Sequence, residues 1–258
     1  MILFPVSISL GSFGAEAVRA QGQDSFIPLL VEAGASHIEL REELGLADPE
    51  ATAAAIAHAG LIGVYSAPLE LWLADQAAPN PALAPALEAA RRHGAVWLKV
   101  SLGHFSPSAD LGALTTLLQA QPVHLLVEND QTEHGGRIEP LLAFFEQSVA
   151  LHVPVGMTFD IGNWQWQAQS PFDAALALGH VVEYVHCKAV QRQPERLRAA
   201  PPSAEDLQLW QLLLARLPGG VVRAVEFPLQ GDDLLAVTRQ YVDTLARLGQ
   251  AQEEQAHG

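Results

Sequence analysis

The chain is poor in cysteine, in basic residues and in long apolar runs, and each shortage removes a class of protein. Cys187 is the only cysteine in 258 residues, which excludes an internal disulfide framework and any multi-cysteine zinc site and makes a cytoplasmic, reducing setting the expectation. Lys and Arg number 14 against 29 Asp and Glu, a formal net charge of −15, so a phosphate backbone is repelled over most of the surface and nucleic acid is not expected as a partner. No apolar stretch is long enough to span a bilayer, so no membrane partner is expected either. The run from Met1 to Leu10 is apolar but short, has no cationic start and carries Pro5, Ser7 and Ser9; it reads as a first strand rather than a signal peptide. A Gly-x-x-x-x-Gly-Lys loop, a Gly-x-Gly-x-x-Gly turn after a strand and a Gly-x-Ser-x-Gly elbow are all missing, which argues against nucleotide-dependent and serine-hydrolase chemistry.

What is present is an alternation. Short β-branched or apolar runs recur between longer alanine- and leucine-rich stretches of helical spacing, the pattern of repeated βα units around a parallel sheet. Eight strands are predicted at Phe4–Ser9, His37–Leu40, Ile62–Tyr65, Trp97–Val100, His124–Val127, Val155–Phe159, Val181–Cys187 and Val221–Phe227. The helices that follow them are predicted near Asp24–Ala33, Pro49–Ala59, Ala82–His93, Leu111–Ala120, Ile138–Ala150, Phe172–Leu178, Ala204–Leu217 and Asp232–Leu248. Gly34, Gly60, Gly94 and Gly179 follow helices, where a residue able to take positive φ closes the last turn. With 49% hydrophobic residues and this length, the expectation is one (β/α)8 TIM barrel over residues 1–250, with Ala251–Gly258 a frayed tail.

The stretches after the strands are longer and more polar, and in a barrel those loops build the active face. Four ionisable residues stand at the ends of the last four of the eight predicted strands: Glu128 in Leu-Leu-Val-Glu-Asn, Asp160 in Met-Thr-Phe-Asp-Ile-Gly-Asn, His186 in Tyr-Val-His-Cys-Lys and Glu226 in Arg-Ala-Val-Glu-Phe. Three carboxylates converging on one mouth repel one another unless a cation lies between them. The oxygen-rich set with one nitrogen makes Mn²⁺ the first expectation, with Mg²⁺, Co²⁺ or Zn²⁺ as alternatives.

The segments Val127-Glu128-Asn129, Phe159-Asp160-Ile161-Gly162-Asn163, His186-Cys187-Lys188 and Val225-Glu226 resemble the xylose-isomerase-like barrel superfamily, that is the sugar phosphate isomerase/epimerase family, over essentially the whole chain. The opening Ser-Ile-Ser-Leu-Gly-Ser-Phe-Gly-Ala and the segment Gly-Ala-Ser-His-Ile-Glu-Leu-Arg-Glu-Glu-Leu also resemble the epimerases encoded with bacterial 2-ketogluconate utilisation genes. The resemblance implies that Glu128 and Glu226 bind the metal and flank the substrate, moving a proton next to a carbonyl through a metal-stabilised enediolate. By the same spacing it implies substrate contacts for Asn163, where the epimerases tend to have histidine, and for Arg192. Such barrels often pair, so a homodimer is compatible, although no exposed apolar stripe marks its interface.

Other positions are read from parity and position. Lys188 shares strand parity with His186 and points to the mouth, to polarise a carbonyl or balance the carboxylates. Glu39 and Lys99 read as a buried pair, and Arg41 as a contact for an acidic substrate or a loop bridge to Glu42 or Glu43. Trp164 fits either the carbon face of a sugar or core packing, and His104 could approach the mouth. The expected partner is a small carbohydrate or sugar acid. Three rival readings remain. One is a metal-dependent dehydratase of a keto sugar or cyclic keto acid, and another is a non-catalytic sugar-binding barrel. The third is a nuclease of the endonuclease IV type, against which strands three and four offer Val64-Tyr65-Ser66 and Lys99-Val100-Ser101 in place of histidines.

Overall fold

The computed structural model describes residues 3–193 and 196–249; the tail expected at 251–258 lies outside them. Eight parallel strands close into a barrel. They are β1 (Val6–Ser9), β2 (His37–Arg41), β3 (Ile62–Trp72), β4 (Ala95–Gly103), β5 (His124–Glu128), β6 (Val155–Asp160), β7 (Val182–Cys187) and, after a hairpin of β8 (Ala189–Arg192) and β9 (Leu197–Ala200), β10 (Val222–Val225). Their order around the barrel is β1-β10-β7-β6-β5-β4-β3-β2, so each strand lies beside its neighbour in sequence, as right-handed βα units require.

The helices are α1 (Ala15–Gln21), α2 (Ile27–Ala33), α3 (Pro49–His58), α4 (Leu83–Arg92), α5 (Leu111–Gln119), α6 (Ile138–Ala150), α7 (Pro171–Leu178), α8 (Ala204–Leu214) and α9 (Leu234–Arg247). Several begin where a side-chain oxygen meets the first free amides: Asp48, Asp110, Ser170, Ser203 and Asp233 each accept from a backbone N–H in the first turn. Between helices and strands lies the larger core, with Phe144, Phe159 and Trp164 fully buried in it. A second, smaller cluster of Val64, Leu126, Tyr184, Val222 and Ala224 plugs the barrel interior, with Trp97 packed against it, and the site residues lie beyond this plug at the C-terminal ends of the strands.

Several boundaries depart from expectation. The predicted helix Asp24–Ala33 divides into a 3-10 turn, Gln23–Phe26, and α2, and α1 was not foreseen. Strand β3 runs on to Trp72 and β4 to Gly103, with a register shift between Ser66 and Glu70 where Pro68 cannot donate to the ladder. The stretch Val190–Pro202, which falls outside every predicted strand and helix, carries most of the antiparallel hairpin, in which Ala189 pairs with Ala200. Gly34, Gly60 and Gly94 take positive φ, but Gly179 has φ −53 and leads directly into a 3-10 turn.

Candidate functional site

Residues spaced by two on a strand share a face, and that alternation delivers the polar residues of the interior. Glu128 and Asp160 are the last residues of β5 and β6, His186 lies one before the end of β7, and Glu226 follows β10 directly. Register carries the set across the sheet: Asp160 pairs with His186 and Ala224 with His186. One ligand atom from each of Glu128, Asp160, His186 and Glu226 lies within 4.8 Å of the others.

The ends of the strands are fixed by short local devices. Asp160 Oδ1 accepts from the backbone N–H of Gly162 at 2.8 Å and of Asn163 at 2.9 Å, which leaves Oδ2 facing the mouth. Residue 162 must be glycine because a Cβ there would stand 2.7 Å from the carbonyl oxygen of Lys188. Asn129 clamps β5 to β6, its amide donating to the carbonyl of Asp160 and accepting from the same residue's N–H.

The charges alternate in space. Lys99 Nζ lies 2.6 Å from Glu128 Oε2, and Lys188 Nζ lies 2.6 Å from Asp160 Oδ2 and 2.9 Å from Glu226 Oε2. Arg41 Nη1 donates to Glu226 Oε1 at 2.8 Å and its guanidinium also bridges to Glu43 at 2.8 Å. His186 Nδ1 stands between two glutamates, 2.8 Å from Glu128 Oε1 and 2.9 Å from Glu226 Oε2. Burial opposes its charge, but Glu226, Glu39 and Glu128 outweigh burial and raise His186 well above the ordinary imidazole range. Burial likewise pushes Glu226 and Glu128 up, and the neighbouring cations win: His186 and Lys188 hold Glu226 well below the usual carboxylate range, and Lys99 and His186 lower Glu128. Asp160 goes the other way, raised by burial and by Glu226 and Glu128 against the pull of Lys188.

Three of the converging atoms, Glu128 Oε1, Asp160 Oδ2 and His186 Nδ1, are buried and make no well-aligned hydrogen bond; their close contacts are the ion pairs just described. Three carboxylates and one imidazole turned to a single buried point are costly without shared positive charge, and a divalent cation would engage all three atoms together with Glu226. The donor set of three carboxylates and one imidazole therefore fits such an ion.

Of the other predicted positions, Arg41 and Lys188 join the site. Asn163 is buried with its amide engaged in the loop, donating to the carbonyl of Asn129 and accepting from Gln131. Trp164 is wholly buried, its ring against Phe159, and leaves no face for a sugar. Arg192 is exposed at the end of β8. The expected Glu39–Lys99 pair is not formed: Lys99 reaches Glu128 instead, and Glu39 Oε2 lies 2.6 Å from His186 Nε2 and accepts from the Tyr184 hydroxyl at 2.9 Å. The same Tyr184 hydroxyl lies 2.7 Å from Ser7 Oγ. Tyr184 and Ser7 were missed; their parity with His186 and Ser9 on their own strands was the available signal.

Above Glu226, Lys188 and Arg41 opens a cavity of about 310 Å³, walled in part by Leu44, Ala199 and Phe227. Ala199 comes from the hairpin, which thereby forms part of the mouth.

No protein-family model and no curated protein matches the chain. Solved structures do. The chain is similar to a xylose isomerase-like TIM barrel/4-hydroxyphenylpyruvate dioxygenase fusion protein (12% identity, TM-score 0.70), covering 98% of this chain and 44% of that one. It is similar to D-psicose 3-epimerase from Clostridium cellulolyticum H10, solved with D-tagatose (11% identity, TM-score 0.69, 95% and 99% of the two chains). It is also similar to the IolI protein with a binding zinc atom (12% identity, TM-score 0.68, 95% and 99%). The fold is that of a xylose-isomerase-like TIM barrel.

Proposed function

We propose that this chain is a divalent-metal-dependent isomerase or epimerase of a small sugar, sugar phosphate or sugar acid, acting by proton transfer at a carbon next to a carbonyl. The observation that carries the reading is the convergence of Glu128 and Glu226, from separate strands, on one point, 2.8 Å and 2.9 Å from the same nitrogen of His186. Two carboxylates within reach of one substrate carbon would allow a proton to be taken by one and given back by the other. The barrel shared with D-psicose 3-epimerase and with the zinc-binding IolI supports it.

Glu128, Asp160, His186 and Glu226 would hold the metal, with Mn²⁺ the first candidate and Mg²⁺, Co²⁺ and Zn²⁺ the alternatives. When bound, it supplies positive charge beside the carbonyl oxygen that turns negative as the proton leaves. His186 and Lys188 beside Glu226, and Lys99 and His186 beside Glu128, keep the two glutamates ionised, so in the free site both are bases. Isomerisation, in which one carboxylate removes the proton and returns it to the neighbouring carbon while the substrate's hydroxyl proton passes to the former carbonyl oxygen, then needs no other proton source. Epimerisation requires the second glutamate to gain a proton before it gives one. The 310 Å³ cavity suits a substrate of a few carbons, and Arg41 on its wall is the group that meets a hydroxyl or acidic end.

The test is solvent-deuterium exchange by the manganese-loaded protein on a panel of ketoses and keto acids. Incorporation of deuterium into a carbon position with no loss of water supports the proposal, and loss of water identifies the dehydratase instead. Sugar binding that is unchanged by Glu226→Gln, with no exchange on any compound, overturns it in favour of a non-catalytic barrel.

A further inference from the structure

A second cluster of ligand-type side chains stands on the rim of the same barrel end and plays no part in the chemistry above. Glu70, His104 and His134 each offer one ligand atom, all within 4.8 Å of one another. His134 Nε2 lies 2.8 Å from Glu70 Oε1, and the rings of His104 and His134 stack at a centroid distance of 3.7 Å with 19° between their planes. The stack holds the two imidazoles face to face beside a carboxylate, with one ligand nitrogen of each within 4.8 Å of the other and of the Glu70 oxygen.

The backbone builds this arrangement from three separate segments. Glu70 lies on the part of β3 that continues past the barrel, in register with Ser101 of β4. Gly103 then takes φ +69, and a Cβ there would collide with the carbonyl oxygen of Trp72. Only glycine fits, and the turn it makes places the N–H of His104 2.8 Å from that carbonyl, two residues along from Glu70. His134 is presented by the loop after β5, which is folded on itself. Asp130 Oδ1 accepts from the N–H and the hydroxyl of Thr132, and the Thr132 hydroxyl accepts from the N–H of Gly135. Both histidines therefore stand on turns set by hydrogen bonds.

We propose that Glu70, His104 and His134 form a second metal site, one for a borderline divalent cation of the Zn²⁺ type. Two imidazoles and one carboxylate are a nitrogen-rich set, suited to zinc, whereas the three carboxylates and one imidazole in the mouth favour harder ions. Three protein ligands leave coordination positions free. His104 and His134 line a cavity of about 830 Å³ together with Asp75, Ser106, Arg137 and Glu139, which is open enough to supply water or the oxygen atoms of a ligand. Ser101, the partner of Glu70, is itself paired with Glu128. Neighbouring strands lie about 4.8 Å apart, so the Cα atoms of Glu70 and Glu128 are on the order of 10 Å from each other. The two sites are separate but adjoin one active face.

The experiment is a zinc titration of untagged, metal-stripped protein against a chromophoric chelator. It compares wild type, His104→Ala/His134→Ala and Glu128→Gln/Asp160→Asn, and is repeated with Mn²⁺. His104 is exposed and His134 half-buried, and a circular dichroism melt checks that the variants fold. The expected result is that His104→Ala/His134→Ala loses one zinc equivalent that Glu128→Gln/Asp160→Asn retains, and that Mn²⁺ does not fill it. If wild type binds one zinc and only the His104→Ala/His134→Ala variant loses it, the rim site stands and the mouth site fails. Zinc stoichiometry and affinity equal in wild type and His104→Ala/His134→Ala overturn the proposal. As a second readout, Co²⁺ bound to Glu128→Gln/Asp160→Asn should give visible absorption bands that disappear when His104→Ala is added; bands that persist unchanged contradict it.

Discussion

Glu39 Oε2 and His186 Nε2 lie 2.6 Å apart, and both side chains are completely buried. Burial pushes the Glu39 carboxyl up, but His186 and Lys99 outweigh burial and hold it at about 2. An ionised carboxylate only accepts hydrogen bonds, so Nε2 carries the proton and Nδ1 is the nitrogen turned to Glu128, Asp160 and Glu226. Glu39 thus fixes the ring and decides which nitrogen is offered to a metal.

Replacing Glu39 with Gln keeps the shape and removes the charge. An amide can present either its oxygen or its NH₂ group to Nε2, so the ring orientation loosens. Metal affinity in the mouth is expected to fall by about 10- to 100-fold, read by chelator competition. An affinity equal to wild type would mean that Glu39 does not position His186.

The chain has two lysines, Lys99 and Lys188, and both end in the site. Lys99→Met leaves Glu128 buried without its 2.6 Å partner, a change that costs roughly 3–5 kcal/mol in comparable buried pairs. A divalent ion in the mouth replaces the missing positive charge. Added Mn²⁺ should therefore raise the melting temperature of Lys99→Met by more than that of wild type. An equal rise in the two proteins would show that Glu128 does not face the ion.

Far from the mouth, His37 stacks on Trp97 at 5.7 Å, and burial lowers it from its ordinary 6.5 to about 4. Its folded-state value lies below the unfolded one, so between about pH 6.5 and pH 4 the unfolded chain binds a proton that the folded chain refuses. The stabilisation is complete above about 6.5, is lost as pH falls through that window, and changes no further below it; it is on the order of 1–3 kcal/mol. Chemical denaturation across this range should show a shallower loss of stability for His37→Gln than for wild type. Parallel curves would contradict the assignment.

The parts of the structure that were legible in the sequence depend on local periodicity. Each of the eight barrel strands falls on its predicted segment, and Glu128, Asp160, His186 and Glu226 meet, because alternation along a strand settles which residues face inward and the parallel βα repeat settles which end they share. Cross-barrel distances are not local. Glu39 and Lys99 were each rightly placed on an inward face, yet nothing in the sequence tells that Lys99 reaches Glu128 on the adjacent strand while Glu39 reaches across to β7. The continuation of β3 beyond Tyr65 was hidden by Pro68, which reads as a break but sits at the register shift. The hairpin Ala189–Arg192 with Leu197–Ala200 has little β-branched alternation and is marked by no turn signal of the Asn-Gly kind. Trp164 was open between sugar and core because a residue after a strand end can turn either way; the packing of the loop beneath Phe159 decided it.

The central claim is that the carboxylates and the imidazole of the mouth hold a divalent ion, and metal content measures it most directly. On the His104→Ala/His134→Ala background, so that the rim cluster does not contribute, protein reconstituted with Mn²⁺ and desalted should carry close to one ion per chain. The further pair Glu128→Gln/Asp160→Asn should carry none. If neither protein retains manganese, nor Mg²⁺, Co²⁺ or Zn²⁺ offered in its place, the mouth is a network of internal ion pairs and the proposed proton-transfer chemistry loses its foundation.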